Sequence, residues 1–228
     1  MTRTSTAETI RHVSDARPWR KRVTAVPDVP PRGVRMPRGK RRAHLLHAAR
    51  EVFVAHGYHA AAMDEIAVRA GVSKPVLYQH FPGKLELYLA LIDAATEELL
   101  NRLHRALAST DDNKQRVIAT VSAYFEFVDD QSGFYRLLFE SDLANDPAVR
   151  MRLDRLTELC SAEISQIIAE DTGLSPEEAT LLAVGLVGTA QVSARYWLAT
   201  AGTIPLEKAA ELVASLGWRG IRGFPLHP

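Results

Sequence analysis

Between Ser73 and Lys84 the chain reads SKPVLYQHFPGK, a run in which hydroxyl, ammonium, phenol, amide and imidazole groups stand among Pro75, Val76 and Leu77. Side chains of these types suit a polyanion. Cations and hydrogen-bond donors meet phosphate oxygens, while proline and valine can touch a thymine methyl but read no hydrogen bonds. A second basic cluster, Arg38, Lys40, Arg41 and Arg42, stands upstream. His44, His47 and Glu51 share a helical face and in principle suit zinc. Their place beside the basic cluster argues against that use, and the chain holds no phosphate loop, nucleophile elbow or paired cysteine motif. Neither an enzyme, nor a cofactor, nor a resident metal is therefore expected. Cys160 is the only cysteine, which excludes an intrachain disulfide and a cysteine-based metal cluster. It falls in an amphipathic stretch and reads as core, and a reducing cytoplasm fits.

The charge distribution points to the same partner. The net charge of +1 hides an asymmetry: residues 1–83 carry 15 Lys/Arg against 6 Asp/Glu, and residues 84–228 carry 13 against 21, so +9 precedes −8. A polyanion is drawn to one end and repelled by the other, and double-stranded DNA is the natural candidate. No apolar signal-peptide core precedes residue 40. The longest apolar run, Ala179 to Ala194, is broken by Gly185, Gly188 and Gln191 and stopped by Arg195, too short to span a bilayer. A soluble cytoplasmic protein without a membrane partner is expected.

These groups need helices to hold them. Residues 1–37 contain Pro18, Pro27, Pro30, Pro31 and Pro37 without a periodic apolar face, which predicts a disordered basic tail, and the basic stretch over 3–42 reads either as a solvated linker or as an arm touching DNA. Leu45, Ala48, Ala49, Val52 and Phe53 recur at helical spacing up to Gly57, so a first helix should begin at Arg38. Short helices over 63–70 and 74–80 flank a turn at Gly71-Val72, with Ser73 as N-cap, a pattern that predicts a helix-turn-helix. After Pro82-Gly83, a stripe of Leu85, Leu89, Ile92, Leu99 and Leu103 predicts a long helix to Leu107. Further helices are expected at 114–130, 133–143, 148–171, 176–200 and 206–216. Ser175-Pro176-Glu177-Glu178 has the composition of a helix start. Nothing reads as a strand, so the fold class is all-α: a helix-turn-helix three-helix domain over 38–83, then a helical ligand-binding and dimerisation domain over 84–222.

The stretch from Arg41 to Leu91 resembles the DNA-binding domain of the TetR family. The likeness rests on an alanine-rich first helix closed by Phe53 and Gly57-Tyr58, then Asp64-Glu65-Ile66-Ala67, Ala70-Gly71-Val72-Ser73, Leu77-Tyr78, His80-Phe81 and Lys84. It implies that Lys74, Pro75 and Val76 lie closest to bases and that Tyr78, His80 and Lys84 hold the DNA backbone. Ser73, Gln79, Arg41 and Arg42 complete the expected contact set. A homodimer on an inverted-repeat operator follows, since one recognition helix reads few bases. The family often places a threonine before the second helix. Here Ala61-Ala62 stands there, so that hydroxyl contact is missing.

A narrower resemblance covers most of residues 38–218. Gly57 to Ala61, Lys74-Pro75-Val76, Gly133 to Glu140, Ala183 to Gly188 and Ala194 to Leu198 are similar to the actinobacterial fatty-acid-synthesis regulators. That likeness implies long-chain acyl-CoA as the effector that releases DNA. The alternative is a TetR-type repressor of an efflux or catabolic gene answering another hydrophobic molecule. Candidate ligand contacts are Phe125, Phe134, Leu138, Phe139, Val184, Gly185, Gly188 and Trp197, with Phe127, Leu186 and Val187 nearby. Apolar residues at helical spacing would equally make a dry core. Gly185 and Gly188 suit either a cavity or close packing at a dimer interface. Arg136 is expected to pair with Glu140 one turn away, and Arg195 with a carboxylate.

Overall fold

The computed structural model describes residues 37–130, 133–139, 143, 145–200 and 203–221, and the expected tail over 1–37 lies outside them except for Pro37. The described residues form nine helices: α1 (Arg38–Ala60), α2 (Met63–Arg69), α3 (Lys74–His80), α4 (Lys84–Leu107), α5 (Asn113–Asp129), α6 (Phe134–Phe139), α7 (Pro147–Thr172), α8 (Pro176–Ala199) and α9 (Leu206–Ile221). The expected boundaries recur within a few residues at most ends, because caps and glycines set them. Gly57, at φ 74° and ψ 170°, interrupts α1 where the sequence reading ends it, and one further turn follows. Gly71 turns between α2 and α3 at φ 62°. At the start of α8 the Ser175 side chain accepts from the Glu178 amide while the Glu178 carboxylate accepts from the Ser175 amide, a complete capping box.

One helix start differs from expectation: Ser73 occupies the N-cap position of α3 but its hydroxyl caps nothing. Ala62 precedes α2 with no side-chain cap, in line with the missing threonine. The apolar stripe of α4 is also rotated in its first turns. Leu87, Tyr88, Leu91 and Ile92 are buried there, whereas Leu85 and Leu89 are half-buried. The reason is that α4 has neighbours on several sides: it packs on α1, α5, α6 and α7. A helix between layers buries a wider arc than one stripe.

One continuous buried cluster runs from Leu45 in α1 to Ala210 in α9. Phe53, Ile66, Ala67, Leu77 and Phe81 meet inside it, as their spacing implies, and Val72 packs half-buried against them. These contacts set the angle between α2 and α3. Short α6 lies against α1, α4 and α5. Gly133, at φ 76°, lets the chain come so close to α1 that a Cβ there would stand 2.6 Å from Val54. No described helix is long and apolar enough to cross a membrane.

Candidate nucleic-acid interface and sensor cavity

Burying Leu77 and Phe81 anchors α3 and turns its other face outward. Ser73, Lys74, Pro75, Tyr78 and Gln79 are exposed there, with Val76 and His80 half-buried beside them. The Lys74 ammonium lies 2.5 Å from the Asp64 carboxylate in the first turn of α2. That pair is exposed on both sides and so weakly held, leaving Lys74 able to exchange it for another anion. Glu65, the neighbouring carboxylate, faces the His56 ring.

The start of α1 adds its cations to the end of α3. The Arg42 guanidinium sits 4.7 Å over the Phe81 ring. His80 has its pKa lowered, first by partial burial and then by the fields of Arg38, Arg41 and Arg42. The arginines of α1 thus place a positive field over the end of α3. Tyr78, Gln79 and Lys74 stand within the same stretch of surface.

Lys84 departs from expectation. Its Nζ donates to the carbonyl oxygens of Tyr58, His59 and Ala61 at 2.8, 3.1 and 2.9 Å, and lies 4.6 Å from the centre of the Tyr58 ring. An ammonium has three donors, and all are used. Lys84 therefore ties the first residue of α4 to the frayed end of α1, where carbonyls lack helical partners, and is a positioning residue rather than a free cation. The zinc alternative also loses its ligands: His44 Nε2 bonds the Ala70 carbonyl at 2.9 Å and Glu51 pairs with Arg69 at 3.1 Å.

A cavity of about 370 Å³ opens between α4, α5, α7, α8 and α9. Its walls are mostly apolar, with Leu103, Val117, Ile164, Val187, Val213 and Trp218 among them, and its size suits a small-molecule site. The cavity does not coincide with the expected ligand residues. Phe125 and Leu138 are fully buried, and the Phe125 ring packs on Trp197 at 5.8 Å. Trp197 also donates its indole N–H to the Ile204 carbonyl. Phe134 lies beneath the Arg50 guanidinium and Phe139 packs on Tyr135. These aromatics fill core and the α6 junction.

Val184, Gly185 and Gly188 lie outside the cavity lining for a different reason. A Cβ added to either glycine would meet nothing within 4 Å, and Val184 is exposed. They face away from the cavity, on the side of α8 that also exposes Leu181, Val192 and Tyr196. Leu186 and Val187, between the two glycines, do line it. Arg195 is exposed on that outward side and makes no ion pair among the described residues, against expectation. The expected Arg136 to Glu140 pair cannot be placed, since Glu140 lies outside the described residues.

Residues that sequence reasoning missed carry the polar side of the cavity. Thr120, Tyr124, Arg116 and Asp171 line it, as does Cys160, whose thiol burial pushes up to about 12. The available signal was the hydroxyls of α5, one turn apart in an otherwise apolar stretch. Gly217 was another: a Cβ there would stand 3.2 Å from Leu186.

Residues 45–91 match the model of the bacterial regulatory proteins of the tetR family. The chain is 48% identical over 195 residues to the HTH-type transcriptional activator FasR of Mycolicibacterium smegmatis, covering 86% of this chain and 89% of that one. It is 29% identical over 161 residues to the nucleoid occlusion factor SlmA of Vibrio vulnificus, covering 66% and 76%. Among solved structures, a TetR-like transcriptional regulator from Rhodococcus sp. RHA1 superposes with a TM-score of 0.62 at 28% identity, over 83% of this chain and all of the other. FadR of Bacillus subtilis, in complex with stearoyl-CoA, shares the fold with a TM-score of 0.63 at 19% identity, over 77% and 96%.

Proposed function

Because the chain belongs to the TetR family of transcription regulators, and so is a regulator and not an enzyme, we propose that it controls fatty acid synthesis genes in answer to long-chain acyl-CoA. It acts as a homodimer on an inverted-repeat operator in the cytoplasm. The observation that carries this reading is the extended identity with FasR, which reaches through the sensor helices and is not confined to the helix-turn-helix. FasR is named an activator, and activation is the mode proposed here. An activator removed from DNA by its pathway's long-chain products would slow the making of more.

Lys74, Pro75 and Val76 stand at the end of α3 that enters the major groove, with Ser73, Tyr78, Gln79 and His80 beside them. Arg41 and Arg42 extend the contact to phosphate. Two copies pair through the outward apolar face of α8 and α9, where Leu181, Val192, Tyr196, Leu212 and Leu216 are exposed. Gly185 and Gly188 lie on that face and allow close approach.

The acyl chain occupies the cavity behind α4. Each methylene buried there contributes up to about 0.8 kcal/mol, so affinity climbs with chain length and levels when the cavity is full. Release requires the ligand to prefer the conformation in which the two α3 helices are wrongly spaced. Because Lys84 ties α4 to α1, a shift of α4 carries the DNA-binding helices with it.

Gel shifts with DNA upstream of the chain's own gene and of fatty acid synthase genes test the proposal. A retarded band should form, and acyl-CoA of long chain length should abolish it while short acyl-CoA and free CoA do not. No retardation on either DNA sinks the regulatory target. Release by an unrelated hydrophobic compound, but by no acyl-CoA, would replace the effector and keep the regulator.

A further inference from the structure

The cavity has two unanswered hydroxyls. Thr120 and Tyr124 stand one turn apart on α5 and both line it, and their oxygens are buried with no hydrogen-bond partner among the described residues. A buried hydroxyl left unpaired destabilises the fold, so its retention asks for a partner that comes and goes. Burial, followed by the fields of Tyr135 and Cys160, raises the Tyr124 pKa, and the phenol stays protonated and able to donate.

The charges around the cavity limit what that partner can be. Arg116 is the only cation among the described lining residues, and it is already held. Its Nε donates to the Thr110 carbonyl at 2.8 Å, its Nη1 to Asn113 at 2.9 Å, and Asp111 and Asp171 balance its charge at 3.3 and 3.9 Å. Arg195, whose field reaches Tyr124, is exposed and outside the lining. A carboxylate drawn into this apolar space would find hydroxyls but no uncommitted cation, and burying an uncompensated charge is costly. A neutral carbonyl carries no such penalty and accepts two hydrogen bonds.

We infer that Thr120 and Tyr124 are the specificity-determining pair of the sensor cavity, donating to the neutral carbonyl oxygen of an esterified acyl chain and so excluding the free fatty acid. This rests on the small-molecule sensing proposed above and adds the atoms that read the ligand. The thioester of acyl-CoA and an oxygen ester share the recognised carbonyl. The hydroxyls distinguish esterified from free acid, and the CoA part lies beyond their reach.

Tryptophan fluorescence of the full-length protein reports binding, since Trp218 lines the cavity. Palmitoyl-CoA, methyl palmitate and sodium palmitate are titrated at about pH 8, where the acid is ionised. Both esters should bind, with palmitate weaker by tenfold or more. Tyr124→Phe and Thr120→Val should each weaken the esters by roughly three- to tenfold and leave palmitate unchanged. Ligand-free melting temperatures should hold or rise, because each change removes an unsatisfied group. Should a variant melt lower, the ratio of ester to palmitate affinity decides: a packing defect preserves it, and loss of the reader collapses it toward one. Palmitate binding as well as the esters, or an unchanged ratio in both variants, overturns the assignment while the effector proposal stands. Failure of the unaltered protein to bind either ester removes the acyl effector as well. A response to palmitoyl-CoA alone would mean that the CoA part, not the carbonyl, is read, and would also overturn it.

Discussion

Lys84 illustrates how a side chain type can be legible while its use is not. Its position at the start of α4 matches a phosphate-binding lysine in related domains, yet here three carbonyls take its donors. Replacing Lys84 by Ala should cost about 1–3 kcal/mol of stability, because carbonyls at the end of α1 lose their partners. The slope of operator affinity against salt should stay unchanged, where loss of a phosphate contact would lower it by about one unit. Thermal melts and anisotropy titrations over a salt series check both numbers. His80 carries a second consequence. Partial burial and then the arginines around it favour the neutral ring in the free protein, and a phosphate at the same place would offset the arginines. Binding should then take up a proton, and operator affinity should rise between about pH 8 and pH 6. His80→Asn should flatten that dependence, and a slope that survives it belongs to another group.

Among the elements, α6 is the shortest and has the most specific backbone demand. Gly133 combines a left-handed φ with an approach to Val54 that no side chain could share. Gly133→Ala should destabilise the protein by about 1–3 kcal/mol, measured by denaturant melts, and an effect near zero would show that α6 does not depend on this contact. The Tyr88 hydroxyl donates to the Leu137 carbonyl at 2.7 Å from the facing turn of α4, so α6 is held by both helices. Most of the helices were legible in outline because breakers and caps are local: Gly57, Gly71, Pro82-Gly83 and the Ser175 capping box act within one turn. The phase of α4 was not, since it depends on which neighbours surround the helix.

For the whole molecule, the decisive surface is the outward face of α8 and α9. Leu181 is 74% exposed and Tyr196 71%, with Leu212 and Leu216 beside them, more apolar exposure than two helices of a monomer should leave in water. Leu181→Asp combined with Leu216→Asp should give a monomer by light scattering at micromolar concentration. Operator affinity should then fall roughly a thousandfold or more, to the non-specific level. A dimer that persisted in this double variant would move the interface elsewhere. Gly185→Trp belongs to the same test and not to a test of the cavity, because the indole would project into the open face.

The sequence alone determined the all-helical class, the helix-turn-helix, most helix boundaries and the basic-to-acidic polarity. Each of these follows from residue type, spacing or a local cap, and needs no knowledge of distant neighbours. Only the tertiary structure decided which apolar residues face a cavity and which fill core. Phe125 and Trp197 are spent on each other, Gly185 and Gly188 face outward, and Thr120 and Tyr124 face the cavity. The physical reason is that helical periodicity distinguishes a buried face from a solvated one but is the same for packing against a neighbour, a partner subunit or an empty space. That choice is made by where the other helices lie, and it is a property of the assembled bundle.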